Sequence, residues 1–421
     1  MAISLFSIPL LVVAVLGPLL YNKIHHQLTV LGVYRSPIFT SSSHGIHAIG
    51  DTQQCEDIHY YAPGNVIFAA CEDSVLPRFE WFPPLGHLDT PPETTGSIHI
   101  IDPKTLKSSR LTFENFNGPF VTHGIDVIPD PERPEAVYVF AVNHLSNPEY
   151  RPGAKGSHKF RSQIEIFYHV LGSSTIRHVR SVRHPLVKTP NDLYATSPYS
   201  FYATNDHYYL DGFMRHVEDS LVLTRWTDVV HVQLDRLTTS DETAGVNASV
   251  TLKGLWAANG LGHGQSDDEI MVASVLGGKV WRTKADDHGT LSIRDEFFVD
   301  STIDNPSHYD DPYKSANDDA SGYVLGGLRR GIDLAKTHRD PEGKDGVIVW
   351  YVRPNSVSGS SSDWEKRVIF EDDGSNIRSA SAAVLVPIEP GKEDSKEAML
   401  FVTGFVSSGM IAVKVDLSPK L

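Results

Sequence analysis

An all-β fold is what this sequence predicts, and three observations predict it. Short β-branched and aromatic runs recur along the chain: "NVIFAAC", "SIHIID", "AVYVFAVN", "QIEIFYHV", "VVHVQL", "EIMVASV", "GVIVWYV", "AMLFVTGF" and "GMIAVKVD". The stretches between them hold Gly, Pro, Asn and Asp, the turn formers that bound strands. Helical period is nearly absent. Only "GFMRHVEDSLVLTRW", Gly212 to Trp226, sets Phe213, Val217, Leu221 and Val222 on one side, as a core-facing or surface-covering helix would. So many strands need protected edges. Six propeller blades of about 40–60 residues each suit the length with several long loops; a double sandwich suits the same pattern.

The 421 residues divide into three parts. Residues 1–21, "MAISLFSIPLLVVAVLGPLLY", carry no charged side chain and are long enough to enter or span a bilayer. No basic residue precedes the apolar run, and the nearest cleavage site, Val15 to Gly17, is followed by Pro18. A retained signal-anchor is therefore expected rather than a removed signal peptide, and with it membrane or lipid association. Residues 22–44 read as a polar connector and 45–421 as the β domain. Hydrophobic residues at 40% and charged ones at 21% provide an ordinary globular core. The formal charge of −15 argues against nucleic-acid binding, which needs basic patches to displace counterions.

The segment "CEDIHYYAPGNVIFAAC", Cys55 to Cys71, reads as a hairpin turning at Ala62-Pro63-Gly64-Asn65. That turn pairs residues whose numbers sum to about 127, which brings Cys55 close to Cys71. The two form either a local disulfide or a pair of buried thiols. With the sequon Asn247-Ala248-Ser249, a candidate glycosylation site at Asn247, they point to a lumenal or extracellular setting. The hairpin also carries two adjacent carboxylates, Glu56 and Asp57, where a half-buried strand begins. Adjacent oxygen-bearing residues recur in "PNDLYAT", with Asn191 and Asp192, and in "IDNPSHYDDP", with Asp304 and Asn305; "WAANGLGHG" adds Asn259. Neighbouring side chains on an extended segment point to opposite sides, so each pair serves two positions. Calcium, with six to eight oxygen ligands, explains such pairs; Asx-turns and strand caps are the alternative. No Cys/His spacing suggests zinc. No Gly-x-Ser-x-Gly elbow is present, which argues against a serine esterase.

The segments "CEDIHYYAPGNVIFAA", "VTHGIDVIPD", "VYVFAVNHL", "RHPLVKTPNDLYAT", "FYATNDHYYLD", "AANGL" and "STIDNPS", in this order, resemble the paraoxonase/arylesterase family. The likeness runs from about Gly45 to the C-terminus. It implies a six-bladed β-propeller with two calcium ions in a central tunnel, preceded by an uncleaved hydrophobic helix, and hydrolysis of aryl esters or lactones. Carried over position by position, it implies a catalytic calcium held by Glu56, Asn191, Asn259, Asp304 and Asn305. A structural calcium would take Asp57, Asp192 and the carbonyl of Ile125. His123 would be the general base and His144 its orienting or relaying partner, with imidazole suited to the work by its near-neutral pKa. His207 would pack or hydrogen-bond within a blade. A calcium-stabilised propeller used only for binding is the alternative function.

Three departures from the family pattern carry expectations of their own. No cysteine lies in the closing run "MIAVKVDL", so closure by strand pairing, with a local Cys55–Cys71 bridge, is expected in place of an N- to C-terminal disulfide. The segment "LGGLRRGIDL" has Arg329 and Arg330 where animal relatives carry a cavity histidine. The proline-rich stretch from Phe82 to Thr95 reads as an exposed loop that reshapes the mouth of the site.

Overall fold

Six antiparallel sheets follow one another along the chain, and each starts with its innermost strand. The computed structural model describes residues 17, 21–38, 45–91, 96–220, 224–315, 318–354, 364–390 and 396–418. Blade 1 runs outward from Asp57–Tyr61 through Val66–Cys71 and Ser97–Asp102 to Lys107–Arg110. Blade 2 runs from Thr122–Asp130 to Thr175–Val182, with Thr112–Glu114 added parallel to its rim. The inner strands of blades 3 to 6 are Pro190–Ser197, Ala258–His263, Pro306–Tyr309 and Ala380–Pro387. These six inner strands touch in a closed ring, blade 1 meeting both blade 2 and blade 6. The result is a six-bladed β-propeller. The double sandwich is excluded.

A separate apolar core fills each space between neighbouring blades. Phe68 and Ile98 of blade 1 pack with Val139 and Phe167 of blade 2, while Ile164 and Phe140 of blade 2 pack with Phe201 and Val230 of blade 3. Tyr202 and Val229 meet Leu261 and Val272; Met271 and Phe297 meet Tyr323 and Leu325. Val349 and Phe370 meet Leu385 and Leu400, and Phe401 and Val384 meet Ile67 and Ile58. Each blade is thus buried on both faces. That is why the strand segments read as nearly continuous apolar runs instead of alternating cleanly.

Closure is by strand pairing. Ile46–Ile49 forms the outer strand of blade 6, with Ile46 opposite Val413 and Ile49 opposite Met410. The hairpin register sums to 127, as in Asp57 opposite Ala70, and the turn ends at Asn65 in a left-handed conformation (φ 47°). Cys55 and Cys71 form a disulfide with Cα atoms 3.8 Å apart.

Some sequence expectations are corrected, and one falls outside the described residues. The signal-anchor, residues 1–21, lies outside the described residues except for Gly17 and Tyr21. No helix among the described residues is long and apolar enough to cross a membrane. The connector is not irregular throughout: residues 21–30 are helical, and Val30 is fully buried. His26 Nε2 lies 2.9 Å from the Gly277 carbonyl oxygen, and the Ile332 amide donates to Leu31 (3.1 Å). Arg330 donates to Gly32 (3.1 Å) and Arg35, and Arg329 to Ser36. The two arginines therefore clamp this segment through its backbone carbonyls. Gly32, at φ +70°, is required here, since a Cβ would fall 2.5 Å from the Arg329 oxygen.

The expected amphipathic helix spans only Phe213–Ser220, and its buried positions are polar. Phe213 is 78% exposed, whereas Arg215 and Glu218 are buried. Glu218 accepts the amides of Tyr208 (2.9 Å) and Tyr209 (3.1 Å), and Arg215 donates to the Pro84 carbonyl (2.6 Å). Leu221 and Val222 lie outside the described residues. The proline-rich stretch is only in part the exposed loop expected: Gly86 and residues 89–91 are exposed, but Phe82, Pro83 and His87 are buried, and residues 92–95 lie outside the described residues. Trp81–Phe82 pairs with His87–Leu88, and Arg78, itself buried, places its guanidinium 4.4 Å from the Phe82 ring.

Replacing Cys71 with Ser opens a disulfide-closed loop of 16-residue separation. The expected loss of about 3 kcal/mol is read as a lower denaturant midpoint. An unchanged midpoint would show that the bridge does not constrain the unfolded chain.

Candidate functional site

The inner strands deliver their first residues to one end of the propeller axis. Glu56 precedes the inner strand of blade 1 and Asp57 opens it. Their side chains diverge, as alternation requires. The Glu56 carboxylate accepts the Asn305 side-chain amide (3.2 and 3.3 Å) and lies 3.8 Å from His123 Nε2. The Asp57 carboxylate instead accepts the amides of Ile58 (2.8 Å) and of Ile125 in blade 2 (3.0 Å). The Ser381 hydroxyl of blade 6 donates to the Glu56 carbonyl, and the Asn305 amide donates to the Ser381 carbonyl (2.8 Å). Blades 1, 5 and 6 are thereby locked at this level.

Blades 3 and 4 complete the ring. Asp192 accepts its neighbour's amide from Leu193 (2.7 Å) and, across the blade boundary, that of Leu261 (2.7 Å). Asn191 Nδ2 lies 3.3 Å from His123 Nε2. The Asn259 carbonyl accepts the Thr204 hydroxyl (2.6 Å). Two glycines permit the close approach. A Cβ on Gly124 would fall 2.2 Å from Asp192 Oδ1, and one on Gly260 would fall 2.5 Å from Asn305 Oδ1.

Four oxygens at this level, Asn191 Oδ1, Asn259 Oδ1, Asp304 Oδ1 and Asn305 Oδ1, are buried without a hydrogen-bond partner. A buried acceptor left unpaired costs about 1–3 kcal/mol, so four together, beside the Glu56 carboxylate, describe a site built for a cation. The electrostatics agree. Burial and the charges of Asp304 and Asp57 hold Glu56 well above the usual carboxylate range. Burial and the charges of Asp57 and Glu56 do the same to Asp192, and burial with Asp57 and Asp206 to Asp304. Asp57 is pushed up to about 7, chiefly by burial. Among the described residues no Lys or Arg forms an ion pair with these four carboxylates; the ionisable group nearest to them is His123, 3.8 Å from Glu56 and held neutral by burial.

The two expected histidines are in contact. His123 Nδ1 lies 2.9 Å from His144 Nε2, and His144 Nδ1 lies 2.8 Å from the Ser162 hydroxyl. Phe82 covers both rings edge-on, with centroids 5.1 and 6.2 Å away, and the Trp81 indole donates to the His144 carbonyl (3.0 Å). Burial first of all lowers both imidazoles, His144 to about 3, with Arg78 and Arg215 adding to it, and His123 also well below its ordinary value, with the charge of His144 adding to it. The buried Asp206 carboxylate opposes that shift in both. His207 lies beyond the end of its strand instead of within a blade: its Nε2 is hydrogen-bonded to Asp219 of the short helix (2.8 Å), and its Nδ1 lies 2.8 Å from Asp206. Asn247 is exposed on the outer strand of blade 3 and donates to Asp235 (3.2 Å).

Glu56, Asn305, His123, Asn191 and His144 thus form one chain of contacts, Asp57 and Asp304 act on Glu56 by charge, Asp57 and Glu56 act on Asp192, and Asn259 adjoins Gly260, which abuts Asn305. Ser162, Trp81, Arg78 and Asp206 had no role assigned from sequence, and Phe82 only that of the first residue of a loop at the mouth of the site. A serine in a strand, like an arginine in the short helix Leu76–Glu80, carries no local mark of a role that depends on a neighbour far away in the chain.

A family model described as Arylesterase matches residues 81–312, more than half of the chain. Serum paraoxonase/arylesterase 2 of Homo sapiens is 29% identical over 220 residues, which cover 51% of this chain and 54% of that protein. The protein of the same description from Rattus norvegicus is 32% identical over 180 residues, covering 41% and 46%. Serum paraoxonase/lactonase 3 of Oryctolagus cuniculus is 24% identical over 298 residues, covering 69% and 72%. The chain spans about half the length of the first curated relatives it matches. Among solved structures, a luciferin-regenerating enzyme superposes with a TM-score of 0.46 at 11% identity, over 92% of this chain and 100% of its own.

The raised carboxylates set a pH dependence. In chelator-treated protein the folded state keeps protons, up to about pH 7 at Asp57, that an unfolded chain with the ordinary value of 3.8 has released. Stability contributed by these groups is therefore full below the unfolded value and falls as pH rises toward 7. Thermal melts with EDTA are expected to show this fall, Asp57→Asn to flatten it, and added Ca²⁺ to abolish it. A melting temperature that rises over the same interval in EDTA, with no difference in Asp57→Asn, would contradict the cluster's electrostatics.

Proposed function

The chain belongs to the arylesterase family, and on that premise we propose that it hydrolyses carboxylic esters, aryl esters and lactones among them, with two calcium ions in its tunnel. The four orphaned oxygens around Glu56 carry this reading. Glu56, Asn191, Asn259, Asp304 and Asn305 would hold one ion, and Asp57, Asp192 and the Ile125 carbonyl the other. Each set contains two carboxylates, so two dications balance the four buried charges. Bound calcium supplies a Lewis acid for a carbonyl oxygen and for the negative charge that develops there.

The side chains do the remaining work. His123, kept neutral by burial, accepts a proton from water at Nε2, the nitrogen that faces Glu56 and Asn191. Its Nδ1 contact with His144 passes charge onward, and Ser162 holds the second ring in place. The Asp206 carboxylate favours the protonated pair once it forms. Phe82 and Trp81 shield the rings from bulk water, and Arg78 fixes Phe82 from behind. The substrate is a small ester or lactone admitted beside this lid.

The Cys55–Cys71 bridge supports an oxidising, lumenal or extracellular setting. The apolar residues 1–21, leading into the docked helix, support attachment to a membrane or lipid surface.

Phenyl acetate and a panel of γ- and δ-lactones, assayed with and without EDTA, test the proposal. Turnover is expected with calcium and is expected to be lost on chelation and in Glu56→Gln, while His123→Gln lowers kcat by about 10²-fold or more. Full activity after complete removal of calcium, or in a folded Glu56→Gln variant, would refute it.

A further inference from the structure

The other half of the tunnel holds a different donor set. His59 lies two residues beyond Asp57 on the inner strand of blade 1, and His263 four beyond Asn259 on that of blade 4. At about 3.3 Å per residue, both sit well below the oxygen-lined ring. They converge there on Asp126 of blade 2. His59 Nδ1 is 3.0 Å from Asp126 Oδ1, and His263 Nε2 is 2.9 and 3.0 Å from its two oxygens. The donor atoms of all three residues lie within 4.8 Å of one another.

We propose that His59, Asp126 and His263 form a metal centre for a transition-metal dication of the zinc class, separate from the calcium ring. Two nitrogens and one carboxylate suit zinc, cobalt or manganese and not calcium, which takes oxygen donors. Bonds of about 2.0–2.2 Å to a shared ion place neighbouring donors roughly 3 Å apart, the spacing already present at Asp126. The imidazole rings meet edge to face at 87°, so they converge instead of stacking.

The surroundings hold the donors in place. Asp126 is buried and accepts the amides of Val127 (2.8 Å) and of Ala195 in blade 3 (2.7 Å), which orient its carboxylate. The Tyr194 ring packs on His263 with centroids 4.3 Å apart, and its hydroxyl donates to the Asp267 carbonyl (2.9 Å). Such outer partners typically tune a metal site. Both histidines are only partly buried, and with Asp126 they line a cavity of about 760 Å³. Three protein donors facing open space leave coordination positions for water or an exogenous ligand, the arrangement of reactive metal sites.

Chelator-stripped full-length protein, reloaded with excess Ca²⁺ to fill the upper ring, should be titrated with Co²⁺. One equivalent is expected to bind with a visible d–d band that Zn²⁺ displaces and further Ca²⁺ does not. The band should be lost in His263→Ala and His59→Ala and in the near-isosteric His263→Gln, and retained in His288→Ala, which changes an exposed histidine. No band in the wild type, a band that survives both His263 variants, or displacement by Ca²⁺ would overturn the assignment.

Discussion

Repulsion among four buried carboxylates is the constraint that the rest of the structure accommodates. Glu56, Asp57, Asp192 and Asp304 come from blades 1, 3 and 5, yet each is felt by another of the set across the axis. A flexible scaffold would relieve such a cluster by opening. The closed ring of inner strands does not, because six inter-blade cores press it together. Backbone amides of adjoining blades then turn the liability to use. Ile125 donates to Asp57 and Leu261 to Asp192, so the charged side chains stitch blade 1 to 2 and blade 3 to 4. What the amides leave unsatisfied is a set of four buried oxygens, on Asn191, Asn259, Asp304 and Asn305.

The two ends of the tunnel differ in chemistry because the same strands present different residues at different heights. Oxygen donors dominate where the inner strands begin, and the histidine pair sits beside them under Phe82. Two to four residues further on, histidine replaces asparagine and aspartate as the inward donor. Strand rise alone separates the two donor sets.

The covering segments are held by charge as much as by apolar contact. Arg78 joins Glu72, Thr122 and Phe405 under the lid; Arg215 reaches Pro84; Arg329 and Arg330 grip the docked N-terminal segment. Guanidinium groups with carbonyl partners, buried at Arg78 and Arg215 and half-buried at Arg329 and Arg330, tie irregular backbone to a strand scaffold, where unpaired carbonyls would otherwise be costly. This explains why proline-rich and polar stretches, which read as exposed loops or connectors, are partly interior.

The sequence by itself determined the strand-and-turn architecture, the hairpin register that joins Cys55 to Cys71, and the paired oxygen residues, because these depend on neighbours within a few positions. The family likeness extended that to the ring residues and to His123 and His144. Other features were decided only in three dimensions. The polar buried face of Phe213–Ser220, the lid role of Phe82 and the redirection of Arg329 and Arg330 depend on contacts with remote segments. So does the meeting of His59, Asp126 and His263, which no Cys/His spacing announced: 67 residues separate the first two and 137 the last two. Convergence on a propeller axis depends on which strands become innermost and at what height each residue falls, and those are properties of closure, not of local pattern.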